Sequence, residues 1–167
     1  MTEVKIKLNG GIMPVKATAG AAAYDLYVPE DVMITRWPRQ IVGMKFSLEL
    51  PEGYAATIQP RSGFSAKGIE VEEQSLQGDG SIKIETVRID GDVVRGLIDA
   101  DYRGDVGVIL RFSCDYTYSK VQKFVIKKGT RIAQMQIIKV PQVELVEVDE
   151  LSETDRGEGG FGSTGVK

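Results

Sequence analysis

The chain has 167 residues, enough for one domain with a substantial core and too few for two domains of ordinary size. Hydrophobic residues at 42% and charged residues at 27% exclude a disordered or fibrous chain. With 21 Lys+Arg against 24 Asp+Glu, a net charge of -3 and only 7% aromatics, it has neither the basic face nor the stacking surface that nucleic-acid binding needs.

Two absences narrow the chemistry. The chain has no histidine, which removes Ser-His-Asp and Cys-His nucleophilic catalysis, a His-ligated zinc and a histidine proton shuttle. Cys114 is the one cysteine, so internal disulfides and cysteine metal sites are excluded too. Acid-base work falls to Asp, Glu, Lys or Tyr, with oxygen-ligated Mg²⁺ the natural metal. The opening MTEVKIKLNG has no apolar signal core, and no run approaches the roughly 18 apolar residues of a membrane span. The expected location is the cytoplasm, with no membrane partner.

In chain order, the dominant apolar period is two. Val4, Ile6 and Leu8 alternate with polar residues, as do Met44, Phe46, Leu48 and Leu50, and both stretches read as half-buried strands. A strand is expected over 54–59, then about one helical turn after Arg61-Ser62-Gly63. Further strands are expected over 82–89, 106–113, 123–126, 131–140 and 143–148, separated by turn signals such as Pro51-Glu52-Gly53, Gly78-Asp79-Gly80 and Lys128-Gly129. The pattern predicts an all-β sandwich or barrel over residues 1–154.

Two segments depart from it. Residues 69–95 carry seven acids against Lys83, Arg88 and Arg95 around a hairpin signal, and read as an inserted acidic hairpin that projects from the barrel. Residues 155–167 hold five glycines in thirteen positions and read as a mobile arm.

Four places offer chemistry. Pro60-Arg61-Ser62-Gly63 supplies a cation, a hydroxyl and a backbone able to turn its N–H groups toward an anion, or is a plain β-turn with a surface arginine. Asp99 and Asp101 would share one face if extended, like charges favouring proton uptake by one of them, or form an acidic turn. Gln134 is either a bridging core amide or a ligand contact. The arm places Arg156 and Phe161 in a glycine background, as a lid over an anionic ligand would.

These pieces resemble the trimeric dUTP pyrophosphatase (dUTPase) family, whose five motifs stand here in order. They are Ala21-Ala22-Ala23-Tyr24-Asp25-Leu26, PRSGF from Pro60, GLIDADYRGDVGV from Gly96, RIAQ from Arg131 and RGEGGFGSTG from Arg156. The resemblance implies a distorted jelly-roll β-barrel assembled as a homotrimer with shared active sites, and hydrolysis of dUTP to dUMP and pyrophosphate with Mg²⁺ on the triphosphate. It makes Asp99 the general base that activates the attacking water. Tyr102 would exclude a 2′-hydroxyl, while Gly96, Leu97, Ile98 and Gly107 would read uracil. Arg61, Ser62, Gly63 and Gln134 would bind phosphates, and Asp25 would hold Mg²⁺-bound water in the second shell. Phe161 would stack on uracil while Arg156, Gly162, Ser163 and Thr164 close over the γ-phosphate.

Three positions differ from the family pattern. Ala23 stands where glycine is usual, Val93 where some members have an asparagine that contacts uracil, and the segment between the second and third motifs is about twice the usual length. Two alternatives accompany the resemblance: a dCTP deaminase-like nucleotide hydrolase, and a dUTPase with an added regulatory protein partner bound through residues 69–95.

Overall fold

The computed structural model describes residues 2–34, 39–112 and 122–159. Among the described residues, thirteen strands and one short helix follow one another: β1 (Lys5–Leu8), β2 (Tyr24–Tyr27), β3 (Val32–Met33), β4 (Arg39–Gly43), β5 (Phe46–Glu49), β6 (Tyr54–Gln59), α1 (Ser62–Lys67), β7 (Ile69–Leu76), β8 (Ile82–Ile89), β9 (Gly91–Val94), β10 (Gly96–Ile98), β11 (Gly107–Phe112), β12 (Gln122–Ile126) and β13 (Arg131–Lys139). They form antiparallel sheets in the orders β10-β6-β13-β2, β4-β11-β9 and β3-β12-β7-β8, with β1 paired to β5. Non-sequential neighbours in every larger sheet, and no closed barrel among the described residues, make this a distorted jelly roll. No helix among them is long and apolar enough to cross a membrane.

The alternation read from the sequence is the alternation of burial. Met44, Phe46, Leu48 and Leu50 are all buried, and they meet Leu26, Val42, Ile58, Val108, Leu110 and Ile132 in one core. Period two on a half-buried strand puts every second side chain inward, which is why these positions were legible. β1 is shallower than its pattern suggests: Ile6 is partly buried and Leu8 exposed.

Two expectations need correcting. Residues 143–148 are not a strand; Val143, Leu145 and Val146 are 75%, 94% and 70% exposed. Strand pattern alone does not make a strand without a neighbour to pair with, and among the described residues this segment has none.

The 69–95 segment is also more than a projection. β7 and β8 pair over eight residues, from Ile69 with Ile89 to Leu76 with Ile82, but β7 also pairs with β12, Glu73 opposite Phe124. Its base is built into the core through Ile69, Val71 and Ile89, while Leu76, Ile82 and Ile84 lie exposed toward the tip.

Candidate active site

Asp25 is the one buried charged residue among those described, at 8% exposure. It sits on β2 opposite Gln134 of β13, which in turn faces Gln59 of β6, so three of the four strands of one sheet converge here. A buried carboxylate needs compensation, and two guanidinium groups supply it. Arg61 Nε donates to Oδ1 at 2.9 Å and Arg131 Nη1 to Oδ2 at 3.2 Å.

Arg61 lies in the extended region immediately before α1, and no side chain caps the helix. Phe64 and Ser65 donate their N–H groups back to the Arg61 carbonyl, so the N–H groups of Ser62 and Gly63 are left without an intrahelical acceptor. Gln134 Nε2 donates to the Pro60 carbonyl at 2.9 Å and thereby braces this turn. The result is a cavity of about 290 Å³ lined by Ala23, Asp25, Gln59, Arg61, Ser62 and Gln134. On the far side of Arg61, a second cavity of about 320 Å³ is bordered by Lys67, Glu70, Arg88 and Arg131, so the base of the 69–95 segment reaches the flank of the site.

The second group of candidates lies elsewhere. Gly96 pairs with Ile58 and Ile98 with Ala56, which leaves β10 at the edge of its sheet, while β11 begins at Gly107 in a different sheet against β4 and β9. The two arms are not hydrogen-bonded to each other as strands, so main-chain groups on the outer edge of β10 stay unpaired by the sheet. Leu97 is exposed and Ile98 buried.

Between the arms, residues 99–105 form a braced turn rather than an extended run, so Asp99 and Asp101 are not alternate residues of a strand. Tyr102 N–H donates to the Asp99 carbonyl at 3.2 Å, and Arg103 Nη1 donates to the carbonyls of Ala100 at 2.6 Å and Tyr102 at 3.0 Å. Asp99 itself is exposed. Val93, by contrast, is a buried core residue opposite Leu110.

The two groups are well separated within one chain. Continuing the β10–β6 register places Asp99 beside Ala55, four residues along β6 from the Gln59–Gln134–Asp25 row. At ordinary strand dimensions that is about 13 Å along the sheet; across it, Asp99 stands about 5 Å from the line of β6 that continues into Arg61 and Ser62, about 10 Å from Gln134 and about 14 Å from Asp25.

Arg156 is exposed and donates from Nε to the Gly159 carbonyl at 2.8 Å. Phe161, Gly162, Ser163 and Thr164 lie outside the described residues. Sequence reasoning gave no role to Arg131, although it opens RIAQ; its value lies in reaching Asp25, 106 residues away in the chain.

A direct protein-held Mg²⁺ does not fit this donor set. Both Asp25 oxygens are engaged by guanidinium groups, and no group of three acidic or sulfur ligands occurs among the described residues. A metal carried on a triphosphate does fit, because each oxygen keeps a lone pair able to accept from a metal-bound water.

An all-β scaffold with an arginine-bearing turn over a buried aspartate and an exposed aspartate on a braced loop fits a phosphate-handling hydrolase. Comparison with known proteins makes it specific. The dUTPase family model matches residues 9–86 and 86–165. The deoxyuridine 5′-triphosphate nucleotidohydrolase of Hydrogenobaculum sp. is 41% identical over 166 residues, covering 98% of this chain and 97% of its own length. The mitochondrial enzyme of the same name from Homo sapiens is 38% identical, over 91% of this chain and 50% of its own. Among solved structures, a Staphylococcus bacteriophage 80alpha dUTPase mutant with dUpNHpp aligns with TM-score 0.76 at 26% identity, over 99% of this chain and 100% of its own. The chain belongs to the dUTPase family. It is an enzyme, a dUTP diphosphatase.

Proposed function

We propose that the chain hydrolyses dUTP to dUMP and pyrophosphate at sites shared between copies of itself, with Asp99 of one copy as general base and the Asp25–Arg61–Ser62–Gln134 cradle of another holding the phosphates. Asp99 accepts a proton from a water whose oxygen attacks the α-phosphorus. The bond from that phosphorus to the α,β-bridging oxygen breaks, and pyrophosphate leaves with the electron pair. Positioned base catalysis of this kind typically contributes ~10²–10⁴-fold.

The observation that carries the reading is the distance between the two groups. A base must lie within about 3 Å of the proton it takes, and the phosphate donors equally close to the same triphosphate. A separation of about 13 Å along the sheet favours their coming from different chains. A closed assembly of copies, a homotrimer here, brings one chain's Asp99 to its neighbour's cradle. The exposed apolar run of Val143, Leu145, Val146 and Leu151 supports the same conclusion, since apolar segments of this kind mark contacts between chains.

Around the base, the unpaired edge of β10 at Gly96, Leu97 and Ile98, together with Gly107, offers main-chain donors and acceptors to uracil and little room for a methyl group. Tyr102 lies against the deoxyribose and clashes with a 2′-hydroxyl. Ser62 and Gly63 present N–H groups to the phosphates, and Arg156, Phe161, Gly162, Ser163 and Thr164 close over the nucleotide. The metal would be Mg²⁺ carried by the triphosphate, with Asp25 accepting a hydrogen bond from water bound to it. When present, the metal neutralises charge on the phosphate oxygens.

Pyrophosphate release from dUTP, UTP, dTTP and dCTP tests this reading. Turnover of dUTP alone is expected, with no ammonia from dCTP. Ammonia release from dCTP would instead identify a deaminase.

A further inference from the structure

If Tyr102 excludes a 2′-hydroxyl, its ring must hold one position, yet the side chain is 46% exposed on a turn. We infer that Gly104 is a specificity-determining residue, present because only a residue without a Cβ lets the Tyr102 ring lie where it screens the sugar. This inference rests on the role proposed for Tyr102 above.

Tyr102 Oη donates to the Asp105 carbonyl at 2.9 Å, which folds the ring back over residues 103–105. There it lies across the α-carbon of Gly104. A Cβ at that position would come 2.6 Å from Tyr102 Cζ and 3.0 Å from Cε2, and closer still to the hydroxyl oxygen. The three nearest atoms all belong to Tyr102. Gly104 is not among the glycines with positive φ, so its backbone could accommodate alanine without strain. The ring is what demands glycine here.

The ring is also the part that would move. Arg103 ties the carbonyls of Ala100 and Tyr102 together, and Asp105 Oδ2 accepts from the Lys45 N–H at 3.2 Å. With the backbone held on both sides, a methyl at position 104 displaces the ring from its bond to Asp105. Discrimination by shape is a difference between two substrates, so a displaced ring alters the ratio of dUTP to UTP turnover.

The test is kcat/KM for both nucleotides in the wild-type protein and in Gly104→Ala, Tyr102→Ala, Tyr102→Phe and the Gly104→Ala/Tyr102→Ala double variant. Gly104→Ala is expected to lower the preference for dUTP over UTP by about tenfold or more, within the range that one group in a pocket supplies. In the double variant the methyl has no ring to displace, so the preference should equal that of Tyr102→Ala alone. Tyr102→Phe loses the Asp105 bond but keeps the ring, should shift the preference less in the same direction, and decides the matter if Gly104→Ala does not fold. Wild-type preference in Gly104→Ala, or in Tyr102→Phe as its substitute, overturns the inference, as does a double variant worse than Tyr102→Ala. An unchanged preference in Tyr102→Ala overturns the role of Tyr102 and this inference together.

Discussion

Arg61 reaches across β13 to Asp25, its Nε 2.9 Å from Oδ1, so the residue that opens the turn into α1 also neutralises the one buried acid among the described residues. Arg61→Ala leaves that acid with Arg131 alone. Losing a partner of a largely buried charged group costs about 1–3 kcal/mol. A fall of that size in urea-unfolding stability is expected, together with a raised KM for dUTP. Arg61→Lys should recover only part of either, because an ammonium is a point charge and cannot match the guanidinium fork.

Asp99→Asn separates folding from chemistry. The side chain is exposed and the turn is braced through backbone carbonyls and Arg103, so the melting temperature should stay at the wild-type value. Pyrophosphate release should fall ~10²–10⁴-fold in kcat with KM little changed. Substantial kcat in this variant would remove Asp99 from the role of base.

Acid sensitivity has an identifiable contributor at the β3–β12 junction. The Lys127 ammonium, and then the Lys128 backbone N–H, hold the Asp31 carboxyl below its usual range, and hydrogen bonding to Asp31 and then Glu72 raises Lys127. A depressed carboxyl stabilises the fold above its unfolded pKa, near 3.9, and that contribution is lost as pH falls through the lower folded value. Asp31→Asn should therefore be less stable than wild type at neutral pH, with the difference vanishing at low pH. A difference that persisted in acid, measured by thermal melts across pH, would contradict this.

Gly68 ends α1 with φ +70°, and a Cβ there would lie 3.0 Å from the Ile89 carbonyl carbon and closer to its oxygen. With ψ -176° as well, this backbone lies in a region essentially confined to glycine that costs a residue with a Cβ about 1–3 kcal/mol, and overpacking against backbone adds to it. Gly68→Ala should lower stability by at least that much, since the helix leads directly into buried Ile69.

Much of this was legible in the sequence, for a local reason. Met44 to Leu50 declares its burial by alternation, and PRSGF announces a turn into a helix by its own glycine and serine. What was not legible depends on distant neighbours. Residues 143–148 alternate as well, but nothing in the pattern reveals whether a partner strand exists. The glutamates of Ile69-Glu70-Val71-Glu72 suggest a solvated excursion, while the alternating Ile69 and Val71 insert into the core. Arg131 finds Asp25, and Gly104 acquires its importance from a ring folded back over it; neither contact leaves a mark in residue order.

Mixed assemblies test most directly whether the base and the phosphate cradle come from different chains. Asp99→Asn and Arg61→Ala proteins are unfolded together, refolded in equal amounts and assayed for dUTP hydrolysis at a dUTP concentration well below the raised KM of Arg61→Ala, where each is nearly inactive alone. If each site takes Asp99 from one copy and Arg61 from the next, random association in a cyclic assembly leaves about a quarter of the sites intact, and activity should return to about that fraction of wild type. If both residues serve a site within one chain, every site carries a defect and the mixture should stay as inactive as its components.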